Sequence, residues 1–278
     1  MYCSILKETQ TSPIAEFEVC VLIPCYNNHE GLKASLESIS YYPGRLCVVV
    51  VDDGSTTPVL KGIEGNQKDM ITHVIRIEKN VGITAALNTG LQWIEDNLVV
   101  RYIARLDCAD ICHQDRFYDQ VAFLDQNPEV GLLGTWCKFL DPQSGFSYLY
   151  TTPTQHEAIL IEMHFRNVFI HPTVMFRAQL LKKTGFYPLN FHLVEDYALF
   201  FVMLHQTKGA VLDKVLVTCE INPKGLSISN RRTQLIGRDR VVNEFGIGTI
   251  YKWLAKAKLL ILRGLPYQFV LFVKNKRN

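Results

Sequence analysis

Three acidic segments carry residue types and spacings that suit chemistry: Asp52-Asp53-Gly54-Ser55, Asp107-Cys108-Ala109-Asp110 and Glu195-Asp196. A carboxylate in the first can accept hydrogen bonds from a nucleobase N–H or from ribose hydroxyls. The competing reading is a tight turn with a helix cap, because Asp, Gly and Ser all favour turns. In the second, two acids three residues apart can hold a divalent cation that bridges a diphosphate. Mg²⁺ takes only one or two protein carboxylates and fills its other positions with phosphate oxygens and water. The alternative there is a helix N-terminus whose dipole the acids complement. In the third, an acid between the aromatic stretch 186–192 and an apolar helix can have its proton affinity tuned for general-base work. On spacing alone, capping of that helix by Asp196 is the stronger reading. His171, in His171-Pro172-Thr173, reads by itself as a structural histidine.

Something must bring these segments together. Residues 19–23, 46–51, 72–77 and 99–104 are short runs rich in Val and Ile, apolar on both faces as buried parallel strands are. Between them, residues 29–40 place Leu32, Leu36 and Ile39 on one helical face, and residues 83–97 do the same with Leu87, Leu91 and Ile94. Alternating strands and helices predict a parallel sheet covered on both sides. In such sheets ligands bind outside the carboxyl ends of the strands. Those ends read Pro24-Cys25-Tyr26-Asn27, Asp52-Asp53, Asn80-Val81-Gly82 and Asp107 to Asp110. Later, residues 130–140 and 146–150 predict a hairpin, and 154–166 a helix with Thr154 as N-cap and Glu157 completing a capping box. Residues 174–176 and 210–219 read as strands. From Arg231 the pattern is helical, interrupted at 246–248 and 264–266.

Composition narrows the function classes. Of 278 residues, 48% are hydrophobic and 20% charged, which suits a folded domain with an extension. Neither a secretory leader nor a membrane-spanning run is evident, so a cytoplasmic location is expected. The eight cysteines are scattered, several within apolar runs, and read as reduced core residues. Cys108, Cys112 and His113 lack the second ligand pair that a zinc site needs. The net charge of +2 conceals an asymmetry: seven basic and no acidic residues follow from Lys252 onward, so the preceding body is acidic. That body argues against nucleic-acid binding. No G-x-x-x-x-G-K, G-x-G-x-x-G or G-x-S-x-G motif occurs, which counts against P-loop kinases, Rossmann dehydrogenases and serine hydrolases.

The ordered segments 21–27 (Val-Leu-Ile-Pro-Cys-Tyr-Asn), 50–56 (Val-Val-Asp-Asp-Gly-Ser-Thr), 80–88, 104–111, 171–177 and 194–197 resemble the family 2 glycosyltransferases, inverting enzymes of the GT-A fold. The later segments are similar to bacterial enzymes that build lipopolysaccharide or capsule oligosaccharides. The resemblance implies an α/β fold with a mostly parallel Rossmann-like sheet flanked by helices. It implies a catalytic domain over 1–225, with a nucleotide-sugar half at about 1–112 and an acceptor half at about 113–225, then a helical basic extension over 226–278. It assigns donor binding, of a UDP-sugar, to Pro24, Tyr26, Asn27, Asp53, Asn80, Gly82, Arg105 and Asp107. Asp196 becomes the catalytic base, Glu195 and His171 lie on the acceptor side, and Asp107 with Asp110 would hold Mn²⁺ or Mg²⁺. One position departs from the pattern: Ala109 stands where relatives commonly carry the second, metal-ligating Asp. A catalytically degenerate nucleotide-binding subunit is therefore one alternative, and a sugar nucleotidyltransferase another. The acceptor would be a saccharide, free or lipid-linked. Residues 253–273 interleave apolar and basic residues, expected either to lie on the anionic inner face of the cytoplasmic membrane or to pack on the body or on a second subunit of a homodimer.

Overall fold

The computed structural model describes residues 15–59, 65–67, 70–221 and 230–264. The part of the basic tail beyond Gly264 lies outside the described residues. Among the described residues ten strands form one sheet: β1 (Ala15–Cys25), β2 (Leu46–Asp53), β3 (Gly65–Gln67), β4 (Met70–Ile77), β5 (Leu98–Arg105), β6 (Ile111–Cys112), β7 (Val130–Leu140), β8 (Ser147–Tyr150), β9 (Met175–Arg177) and β10 (Lys208–Glu220). Its order is β3-β4-β2-β1-β5-β9-β7-β10-β6, with β8 paired to β7 off that path. The long neighbours β4-β2-β1-β5 and β7-β10 run parallel, whereas the three-residue β9 joins the two halves by antiparallel pairing with both β5 and β7. The expected hairpin is β7-β8.

Side-chain alternation divides the strands between two apolar layers. In β1, Cys20 and Leu22 pack with α2 (Ile83–Asn97), through Leu87, Leu91 and Ile94. Val19, Val21 and Ile23 point the other way, toward α1 (His29–Ser38) and α3 (Arg116–Gln126), meeting Leu32, Leu36 and Phe117. Both layers are dry, with residues 19–23 wholly inaccessible to solvent. This is why the central runs show no polar alternation. The first layer continues through α4 (His156–Met163), α5 (Leu181–Thr184), α6 (Glu195–Leu204), α7 (Arg231–Phe245) and α8 (Thr249–Gly264). Among the described residues, no helix is long and apolar enough to cross a membrane.

Two local expectations need correction. Helix α4 begins at His156 rather than Thr154, and its cap position is Gln155, which makes no side-chain capping bond. Thr154 is committed elsewhere, its carbonyl accepting from the Val211 N–H of β10 at 3.1 Å. Likewise Asp196 does not cap α6; Val194 holds the cap position, and Asp196 stands in the first turn.

The parallel register brings the polar strand ends to one rim, with Cys25 opposite Asp52, Asp52 opposite Arg76, and Leu22 opposite Arg105. Gly54 closes that rim. Its φ is +72°, and an added Cβ would come within 2.4 Å of the Asn80 nitrogen and the Lys79 carbonyl carbon. Gly44 has a similar φ of +71° but open space around it. Gly54→Ala is therefore expected to cost about 2–5 kcal/mol, combining left-handed strain with overpacking, against about 1–2 kcal/mol for Gly44→Ala. Urea unfolding of the two variants measures the difference, and equal losses would mean that the close loop approach contributes nothing.

Candidate functional site

The donor-side rim is held by carboxylates acting on backbone. Asp52, almost wholly buried, accepts from the N–H groups of Ser55 (2.9 Å) and Val59 (3.0 Å) and pairs with Arg76. Those bonds hold its carboxyl below the usual range despite burial. Asp53 reaches the next loop instead. Its Oδ1 accepts from the Val81 N–H (2.8 Å), and its Oδ2 accepts from the Gly82 N–H and the Asn80 side-chain amide (both 3.0 Å). Each carboxylate oxygen has two acceptor sites, so Oδ1 retains one for a ligand donor. Asn27 staples the same rim: its N–H donates to Ser55 Oγ (2.9 Å), and its Oδ1 accepts from the Thr56 N–H (2.8 Å). Tyr26 beside it stands half exposed, and Pro24 accepts the Cys108 thiol on its carbonyl.

Arg105 ties this rim to the rest of the site. Its guanidinium is fully buried, donates to the Leu22 and Leu106 carbonyls, and pairs with Asp107 Oδ1. Its Nε–H donates to His171 Nε2 at 3.1 Å, and the Tyr187 hydroxyl lies 2.7 Å from the same nitrogen. Burial and the adjacent guanidinium push the His171 pKa well down, so the ring is neutral and accepts. Tyr187 is anchored in turn by Asn88 of α2, which bonds both its N–H (2.9 Å) and its carbonyl (2.8 Å). One continuous chain of hydrogen bonds thus runs from α2 through the aromatic loop to Asp107.

Asp107, Asp110, His171, Glu195 and Asp196 line a single cavity of about 450 Å³, within the size range of small-ligand sites. Pro24, Tyr26, Asn27, Asp53, Asn80 and Gly82 are not in its wall; they form the adjoining rim, which meets the cavity at Ile83, the residue after Gly82. Asp196 Oδ2 accepts from the Asn167 amide (2.9 Å) and Oδ1 from the Tyr197 N–H (2.7 Å). Burial, reinforced by the neighbouring Glu195 and by Asp107, pushes its pKa up to about 7. Glu195 is also raised, chiefly by burial, and its Oε2 has no hydrogen-bond partner among the described residues. Leu193, just before this pair, adopts φ +68°, a left-handed conformation costing a leucine about 1–2 kcal/mol. Strain of that kind is characteristic of residues held for function.

The cation site implied for Asp107 and Asp110 is not assembled. Among the described residues, no three His, Cys, Asp or Glu side chains gather closely enough to hold an ion. Asp107 gives one oxygen to Arg105, while Asp110 is buried, accepts the Glu220 N–H at 2.8 Å and has its pKa raised by burial and by Asp107. Ser35 Oγ donates to the Asp107 and Asp110 carbonyls and accepts the Ala109 N–H, fixing the turn between them. Ala109 itself sits at φ +78° with only a methyl to offer. The described residues thus form no three-ligand cage, and any ion here would be held by one or two carboxylates and completed by phosphate and water.

Several contributors escaped sequence reasoning. Buried Arg116 donates to the Arg105 carbonyl (2.8 Å), and Gln120 reaches the Thr173 carbonyl (2.9 Å), bracing the site from α3. Asn167 contacts Asp196 from a loop without a recognisable motif. From α7, Gln234 and Arg238 enter the cavity wall. The only sequence signal for these last two was a polar residue within a helical run.

Residues 20–185 match the profile described as glycosyl transferase family 2. The chain is 33% identical over 183 residues to the amylovoran biosynthesis glycosyltransferase AmsE of Erwinia amylovora, spanning 64% of this chain and 66% of that protein. It is 30% identical over 207 residues to a UDP-Gal:alpha-D-GlcNAc-diphosphoundecaprenol beta-1,3-galactosyltransferase of Escherichia coli, spanning 73% of each. Among solved structures, S. aureus TarS 1–349 in complex with UDP-GlcNAc superposes with a TM-score of 0.65 at 18% identity, over 88% of this chain and 72% of that one. The mannosyltransferase PcManGT from Pyrobaculum calidifontis, in complex with GDP-Man and Mn²⁺, gives 0.62 at 18% identity over 87% and 69%. At those identities the likeness is one of fold, the GT-A arrangement of a mixed sheet between helical layers. With the profile spanning more than half its length over a sheet of that architecture, the chain belongs to glycosyl transferase family 2.

Proposed function

We propose that the chain is an inverting transferase that moves a hexose from a UDP-sugar to a saccharide acceptor, lipid-linked and presented at the inner face of the cytoplasmic membrane, in cell-surface polysaccharide or lipopolysaccharide synthesis. The observation that carries this reading is Asp196, a carboxylate with a pKa of about 7 sharing one cavity with Asp107. A base poised near the working pH combines an adequate ionised fraction with useful proton-transfer driving force. The UDP-GlcNAc complex of TarS and the diphosphoundecaprenol-linked acceptor named for the E. coli relative favour this donor and acceptor class.

In the proposed reaction, uracil lies on the rim beside Tyr26 and donates its N–H to the remaining acceptor site of Asp53 Oδ1. The diphosphate passes Asp107 and the sugar enters the cavity. Asp196 removes the acceptor hydroxyl proton as the oxygen forms its bond to the anomeric carbon. The opposite bond breaks, and its electron pair leaves on the nucleoside diphosphate. Single displacement inverts the anomeric centre. Glu195, with its unpartnered oxygen, is assigned to a sugar hydroxyl. No step is routed through a cation, because among the described residues no three ligating side chains gather for one. The catalytic unit is taken as 1–225 together with the α7 residues that complete the cavity wall. A second reading, a nucleotide-binding subunit without turnover, is favoured by Ala109 alone.

Released UDP from a panel of nucleotide sugars tests the activity, with Asp196→Asn expected to lose about 10²–10⁴-fold in kcat. An Asn variant as fast as the parent removes Asp196 from the mechanism. Because the base works ionised, kcat/KM of the parent should rise with pH and level off above about 7; a profile already flat at pH 5 contradicts the raised pKa. Ala109→Asp restores a carboxylate where a left-handed backbone tolerates Asp better than Ala. Calorimetry should find that Mn²⁺ strengthens UDP binding about tenfold more for this variant than for the parent. An equal Mn²⁺ effect in both would show that position 109 does not govern ion binding.

A further inference from the structure

Helix α8 carries an apolar face that nothing among the described residues covers. Ile250, Trp253, Leu254, Leu260 and Ile261 are each more than half exposed, while Ala255 and Leu259 are buried against the body. At 3.6 residues per turn the exposed set, with Ala257, occupies one arc of about 120°. Lys256 borders that arc on one side and Lys258 on the other, Lys258 also donating to the Phe165 carbonyl at 3.4 Å; Lys252 lies further round and donates to the Asn243 carbonyl of α7 at 2.8 Å, and the helix holds no acidic residue. Its inner side is fixed: Tyr251 packs on His164 with ring centroids 5.5 Å apart, and Arg263 pairs with Asp239 of α7 at 3.3 Å. Since α7 also supplies Gln234 and Arg238 to the cavity, the apolar face lies one helix away from the proposed acceptor site.

We infer that the outer face of α8 docks on an anionic membrane surface, with the apolar arc entering the acyl boundary and the bordering lysines reaching lipid phosphates. Charge selects this occupant. A stripe bordered by cations suits a negatively charged leaflet. A second copy of α8 would set two cationic borders against each other with no acid to offset them. Long lysine stems can lie along the apolar surface while their ammonium groups stay at the headgroups. This placement deepens the proposed lipid-linked acceptor reading, because it holds the cavity beside the leaflet that would present such an acceptor.

The full-length chain would be co-sedimented with vesicles of phosphatidylethanolamine and phosphatidylglycerol, and with pure phosphatidylcholine. Strong binding is expected only to the anionic vesicles. Lys256→Glu with Lys258→Glu should weaken it by at least about 25-fold, at about fivefold per near-surface charge. Trp253→Ser with Leu254→Ser and Leu260→Ser should abolish it while circular dichroism and melting stay those of the parent, since all three side chains face solvent. Binding indifferent to lipid charge, or unchanged in both variants, overturns the inference. So does a parent that is dimeric in solution and becomes monomeric with the three serines, because the face would then be a self-association surface. Vesicle binding needs no turnover, so a chain that binds membranes yet transfers no sugar would defeat only the catalytic reading.

Discussion

Everything in the site leans on the buried guanidinium of Arg105. It is the last residue of β5, wholly removed from solvent, and it cannot shed its charge. Such a cation is stable only when its donors are met, and here the Leu22 and Leu106 carbonyls, Asp107 and His171 meet them. Removing one of these partners is expected to destabilise the fold, because the buried guanidinium is left short of an acceptor. The same four contacts join β1, the Asp107 turn and the loop before β9, so the electrostatic needs of one side chain fix the relative position of both halves of the cavity.

A cost is built into that arrangement. Asp107, Glu195 and Asp196 all face one cavity, and burial together with mutual repulsion makes ionising the last two unfavourable. The neutral His171 relieves none of this. What opposes it is a handful of directed donors, the Asn167 amide and the Tyr197 N–H, which orient Asp196 without neutralising it. A carboxylate with its pKa raised to about 7 is, once ionised, a stronger base than a solvent-exposed aspartate. The left-handed Leu193 fits the same picture, with local backbone strain accepted in order to aim the following two acids.

The Asp107–Asp110 turn keeps its shape without help from the side chain at position 109. Ser35 binds it from α1, Arg105 fixes its first acid, and the Glu220 N–H fixes its last. None of these bonds uses the side chain at position 109, so alanine is tolerated there at the modest expense of a left-handed φ.

The sequence by itself determined the layered sheet, because strands apolar on both faces and helices with one apolar face have few ways to bury themselves together. It also placed Asp53 and Asp107 at strand ends, which a parallel register aligns on one rim, whereas Asp196 entered the site only through the family resemblance. Only tertiary structure decided what each acid does. Asp52 and Asp53 are adjacent in sequence, yet one shapes its own turn while the other holds the loop at Gly82, a distinction set by the alternating directions of strand side chains. Asp196 is indistinguishable from a helix cap until burial raises its pKa. Asn167, Arg238 and Tyr187 are anonymous in the sequence because their partners lie between 16 and 99 residues away or across a cavity. Proximity that arises from the closing of a sheet leaves no periodic trace along the chain.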